Sequence, residues 1–80
     1  MKIYRPGGRC NISGERVCLA RERAGLSQEQ LAARLQLDGL GLAQKAISRM
    51  ETGERVVADY ELLAFSRIFN VSLEWLLTGR

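Results

Sequence analysis

Apolar and polar residues recur along this chain with a helical period, and the pattern is sharpest between Leu26 and Gly53. Leu31, Ala32 and Leu35 form one apolar stripe. Ala43, Ala46, Ile47 and Met50 form another. Lys45, Ser48, Arg49 and Thr52 fall opposite this second stripe, by a rotation of about 100° per residue. Gln44 lies on its flank. The spacing predicts two helices, over 28–36 and 43–52. They are joined by a turn carrying Asp38 and Gly39, which Leu40 or Leu42 plugs from inside.

Local chemistry marks the ends of both elements. Ser27 and Gln30 fit a capping box, in which each side chain bonds the other's backbone amide. Gly25 suits the left-handed stop of an earlier helix, and Gly53 closes the later one. Two helices around a glycine-bearing turn, the second with its polar side chains outward, are the sequence form of a helix-turn-helix. The Gln-Lys-Ser-Arg set on the second helix is either a solvated face or a face that reads bases.

The flanking pattern adds three more helices. Ser13 is the expected N-cap of a helix over 14–24, with Glu15 in its first turn. Val17, Ala20, Arg21 and Ala24 share a face there, and Ile12 stands where a hydrophobic staple begins. A fourth helix is expected from Asp59 to about Asn70, with Leu62, Phe65, Ser66 and Phe69 inward and Leu63 and Ile68 at the margins. Ser72 then caps a short fifth helix, with Glu74 in its first turn. No stretch alternates like a strand, and no heptad persists. The expected fold is all-α, a compact orthogonal bundle of five short helices over residues 11–80. Residues 1–10 hold Pro6, Gly7 and Gly8 with Lys2, Arg5 and Arg9. They are expected to form a flexible basic arm, either lying along phosphates or simply frayed.

Composition narrows the chemistry. Eighty residues make one domain near the lower size limit of a single core. A hydrophobic share of 46% argues against disorder. The net charge of +3 and pI near 9.3 give a mild bias toward anionic partners. No apolar run approaches the ~20 residues of a membrane helix, and MKIYRPGGRCNISG lacks the apolar core of a signal peptide. The expected location is the cytoplasm. Histidine is absent, which removes catalytic triads and Cys-His pairs. Cys10 and Cys18 are either two reduced thiols or, less simply, a disulfide. No metal site and no cofactor are expected. No nucleophile has a base and the glycines match no phosphate loop, so an enzyme is not expected.

The segments R21-x4-LSQEQLA, AISRMETGER and ELLAFSRIFNVSLEWLL resemble the lambda-repressor/Cro-like (XRE) helix-turn-helix family. The likeness runs from about Asn11 to Leu77. The turn Gln36 to Leu42 is longer than family members commonly have. The resemblance implies a small transcriptional regulator, more specifically a repressor, that binds double-stranded DNA with the third helix in the major groove. Gln44, Lys45, Ser48 and Arg49 are the expected base-reading residues: Gln44 with adenine, Lys45 or Arg49 with guanine. Ser27, Gln28, Thr52 and Arg55 are the expected phosphate contacts, Ser27 and Gln28 because helix N-termini attract anions. By resemblance, Gln28 also braces the first reading residue. Arg55, by resemblance a backbone contact, is otherwise a solvated loop arginine.

Arg21 on an apolar stripe calls for a partner, and Glu51 on the inner edge of the third helix is the expected one. Family resemblance implies the same pair. One reading helix covers few base pairs, so a homodimer on a palindromic operator is expected, formed in solution or only on DNA. Its expected surface is the fifth helix with the start of the fourth: Tyr60, Leu73, Trp75 and Leu77. Trp75 is either part of that surface or part of the core. The alternative function is an antitoxin-like or regulatory protein-interaction module that uses this apolar C-terminal end.

Overall fold

The computed structural model describes residues 5–80. Lys2 of the expected basic arm therefore lies outside the described residues. After a single 3-10 turn at Pro6–Gly8 come five helices: α1 (Gly14–Arg23), α2 (Gln28–Leu37), α3 (Gln44–Thr52), α4 (Asp59–Phe69) and α5 (Leu73–Thr78). The described residues contain no strand.

The helix ends obey local rules. Ser27 Oγ accepts from the Gln30 amide at 3.0 Å, and Gln30 Oε1 accepts from the Ser27 amide at 2.8 Å. This capping box holds α2 to its start. Ser72 Oγ accepts from the Trp75 amide and starts α5. Asn70 closes α4 with φ +53, and the Val71 amide reaches back to the Ser66 carbonyl. Such left-handed stops satisfy carbonyls that the helix leaves open.

α1 departs from expectation at both ends. Ser13 makes no side-chain cap; it is buried, with helical φ and ψ. An N-cap needs extended backbone to aim its oxygen at the first turn. Asn11 takes the task instead, its Oδ1 accepting from the Gly14 amide at 2.8 Å. Ile12 is left exposed rather than stapled. Ala24, expected on the apolar stripe, is the exposed C-cap residue because the helix stops one residue earlier. Ala43 is likewise exposed as the N-cap of α3, one residue outside the helix whose stripe it was expected to join.

α3 sits between α1 and α2, while α5 closes against α1 and α4. Val17, Leu31, Leu35, Ile47, Met50, Phe65 and Leu76 bring all five helices to one apolar core. Phe65 stacks on Phe69 with ring centroids 6.2 Å apart. Both Leu40 and Leu42 pack on the core, so the long turn is pinned at two points where one was expected. The Leu40 amide also bonds the Leu35 carbonyl at 2.9 Å. The turn thus presents α3 from an anchored base. Leu37, by contrast, is 84% exposed.

Candidate nucleic-acid interface

α3 is strongly two-faced. Ile47, Met50 and Glu51 are buried beneath it. Gln44, Lys45, Arg49 and Thr52 are exposed, and Ser48 is half-buried beside them. The helix therefore offers a row of long polar side chains to solvent while its other side is fixed in the core. Thr52 Oγ1 donates to the Arg49 carbonyl of the same helix at 3.3 Å while the residue stays exposed.

A chain of polar contacts ties this helix to its neighbours. Arg21 on α1 grips Glu51 with two bonds, Nε to Oε2 at 2.7 Å and Nη2 to Oε1 at 3.1 Å. Arg21 Nη1 also donates to the Leu26 carbonyl just before α2. Gln28, the first residue of α2, donates from Nε2 to Glu51 Oε1 at 3.0 Å. Its Oε1 accepts from Gln44 Nε2 at 3.4 Å. The first exposed side chain of α3 is thus linked through Gln28 to the Arg21–Glu51 pair. Burial pushes the Glu51 carboxyl pKa up, but hydrogen bonds from Arg21 and Gln28 outweigh it and hold the group below its ordinary value. The carboxylate stays charged because three donated hydrogen bonds replace lost water.

Cys18 lies against this pair, its sulfur accepting from Arg21 Nη2 at 3.6 Å. Burial, then the negative charge of Glu51, raises its thiol pKa. Cys10 and Cys18 are both free thiols.

The loop after α3 differs from the simple picture of a free arginine. Arg55 is bonded to Glu61 through both terminal nitrogens, at 3.0 and 3.1 Å. Glu61 is only 2% exposed and also accepts from the Ala58 amide at 2.8 Å. Arg55 is therefore fixed to the start of α4, with about a third of its side chain exposed (34%). Arg9 stands nearer the end of α3. Its Nη1 and Nη2 donate to the Thr52 and Glu51 carbonyls, each at 3.2 Å. The Cys10 amide donates to the Gly53 carbonyl at 2.8 Å, so Arg9 and Cys10, assigned to the arm from sequence, are both bonded to the end of α3.

Sequence reasoning missed Asn11, Arg16 and Glu61. Glu61 carried a faint signal: an acid three residues after Ala58, the N3 position of a capping box. Asn11 stands three residues before Gly14, a spacing that suits a side-chain cap. Arg16 carried none; its guanidinium donates to the Leu76 and Leu77 carbonyls and so caps α5 from sixty residues away in sequence.

The residues expected at a dimer surface separate into two groups. Tyr60 is 61% exposed, and Leu73 and Leu77 are also exposed. Trp75 is half-buried, packs on the core, and carries the Arg23 guanidinium 5.9 Å from its ring centroid. Leu76 is the member of α5 that seals the core.

An all-helical bundle with an exposed polar helix, held at both ends behind an anchored turn, defines a helix-turn-helix protein. The family model described as Helix-turn-helix matches residues 19–76, well over half of the chain. The chain belongs to the lambda-repressor-like (XRE) helix-turn-helix family. Membership makes it a DNA-binding regulator whose partner is double-stranded DNA. No curated protein matches it. No helix among the described residues is long and apolar enough to cross a membrane.

Proposed function

We propose that this chain is a sequence-specific transcriptional repressor in the cytoplasm, with α3 lying in the DNA major groove. The observation that carries this is the row Gln44, Lys45, Ser48 and Arg49, presented on a helix whose opposite face is locked by Ile47, Met50 and Glu51. Bases are distinguished by donors and acceptors on their major-groove edges. Gln44 suits adenine, and Lys45 or Arg49 suits the acceptors of guanine. Ser48 bonds either base, from a more sheltered position.

The phosphate contacts are Ser27, Gln28, Thr52 and Arg55. Free amides at the start of α2 favour an anion there, beside Ser27 and Gln28. Arg55 belongs to this set through the donors that its pair with Glu61 leaves free, since about a third of its side chain is exposed (34%). Gln28 also braces Gln44, which supports a fixed reading geometry rather than a mobile one.

The chain acts as a two-fold dimer on an operator of matching symmetry. Tyr60, Leu73 and Leu77 supply the contact surface, and Trp75 supports it from within. The exposed leucines of α5 also suit a second function, a protein-interaction module of the antitoxin type. Selection of bound sequences from a random DNA pool tests the first against the second. Enrichment of one inverted-repeat motif supports the repressor. Recovery of the unselected pool points to the interaction module. Repeating the binding at rising salt adds a second readout: each neutralised phosphate contributes about −0.9 to the slope of log affinity against log salt.

A further inference from the structure

The last turn of α3 is held by residues that precede the matched family segment. Five backbone carbonyls at and just after that turn are satisfied from the stretch 9–11. Arg9 donates to the Glu51 and Thr52 carbonyls, each at 3.2 Å. The Cys10 amide donates to the Gly53 carbonyl at 2.8 Å. Asn11 Nδ2 donates to the Met50 carbonyl at 2.9 Å and to the Arg55 carbonyl at 2.7 Å. Asn11 is buried, and its Oδ1 is occupied by the Gly14 amide, so the side chain has one orientation available.

The backbone meets equally closely. A Cβ on Gly14 would stand 2.1 Å from the Met50 carbonyl oxygen. A Cβ on Gly53 would stand 2.6 Å from the Arg9 guanidinium carbon, at a φ of +83°. Neither glycine has room for a side chain without moving the clamp. α3 is only nine residues long, and Arg49 lies within its last turn. An open helix end frays within about a turn. The Gly53 and Glu54 amides close the Met50 and Arg49 carbonyls, at 3.2 and 2.8 Å. The stretch 9–11 closes the carbonyls that follow and adds a second donor to Met50, so it adds to how firmly Arg49 is presented.

We infer that Arg9 and Asn11 are positioning residues for base recognition: they clamp the C-terminal turn of the reading helix without touching DNA. The inference rests on the proposed reading role of α3. It assigns the stretch 9–14 a task that the family match over 19–76 does not include. Arg9 acts through geometry rather than charge, since its fork spans two carbonyls while Glu15 stands 3.8 Å away.

The test uses the full chain and three proteins: wild type, Arg9→Lys and Asn11→Asp. Arg9→Lys keeps the charge and loses the fork. Asn11→Asp keeps the shape and sets an acceptor against two carbonyls. Each is assayed on the DNA selected by the wild type, on single-base variants of it, and on random DNA, across a salt series at a temperature where all are folded. In the expected result, discrimination at the base pair read by Arg49 falls about fivefold or more in both variants. Random-DNA affinity and the salt slope stay as in wild type, and amide exchange quickens in the last turn of α3. If Asn11→Asp does not fold, Arg9→Lys alone decides. Discrimination unchanged in a variant with a selective wild type overturns the clamp and leaves the repressor standing. A uniform affinity loss in Arg9→Lys, with a salt slope shallower by about 0.9, makes Arg9 a phosphate contact and also overturns it. A wild type that selects no sequence overturns both, and that arm alone identifies the failure.

Discussion

Arg55 and Glu61 form a two-bonded ion pair, at 3.0 and 3.1 Å, that joins the loop after α3 to the first turn of α4. The carboxylate is almost wholly buried while the guanidinium keeps about a third of its side chain in water. Arg55→Ala therefore leaves a buried charge with only the Ala58 amide as donor. We expect a loss of about 2–3 kcal/mol in urea unfolding, below the roughly 3–5 of a wholly buried pair because Arg55 is partly solvated. A loss under about 0.5 kcal/mol, as for an ordinary surface residue, would make Arg55 a loop arginine after all.

Arg21 is more deeply placed than Arg55, and its bonds to Glu51 run from α1 to the inner edge of the reading helix. A double-mutant cycle on Arg21→Met and Glu51→Gln is expected to give a coupling energy of about 1–3 kcal/mol. Each single change also loosens Gln28, which shares Glu51 Oε1 with Arg21. Weaker protection of α3 amides from exchange should accompany the loss of stability. Additive single changes would show the pair to be decorative.

The same carboxylate sets an acid limit. Glu51 holds its proton less tightly folded than unfolded, because its pKa is lowered from the ordinary 4.5. Its contribution to stability is thus complete above that ordinary value. It drains away as the pH falls through the lower, folded value. Urea midpoints measured from pH 7 down to about pH 3 should fall at the acid end. Glu51→Gln should be less stable near pH 7 and show a shallower acid decline, so that the two proteins converge as the pH falls. Equal acid slopes for the two proteins would place the titrating group elsewhere.

At the interface, Arg49→Ala is expected to relax preference at one or two base pairs, by about 1–3 kcal/mol of discrimination. Gln28→Ala is expected to act twice, removing a phosphate contact and releasing Gln44. It should weaken all sites and blur the position read by Gln44. Competition binding with single-base variants of a selected site separates the two patterns. If Arg49→Ala weakened every site alike, Arg49 would be a backbone contact.

The sequence by itself determined the five helices, their order and most of their stops. Those features are local: a period of 3.6 residues, a serine three residues before a glutamine, a glycine or asparagine free to turn left-handed. Arg21 and Glu51 were also legible, since each is a charge on an apolar face and such a charge needs a partner. Tertiary structure decided what no local pattern encodes. Asn11 bonds carbonyls 39 and 44 residues away, and Arg16 bonds carbonyls 60 and 61 residues away. Backbone carbonyls are the same for every residue type, so no sequence marks which of them will face a given side chain. Glu61 shows the same limit on its other side. Its place three residues after Ala58 marks a cap, but nothing local marks the burial that the packed fold gives it against Arg55. Helices were written in the chain because neighbours in sequence make them; the clamps on their ends were not, because distant residues do.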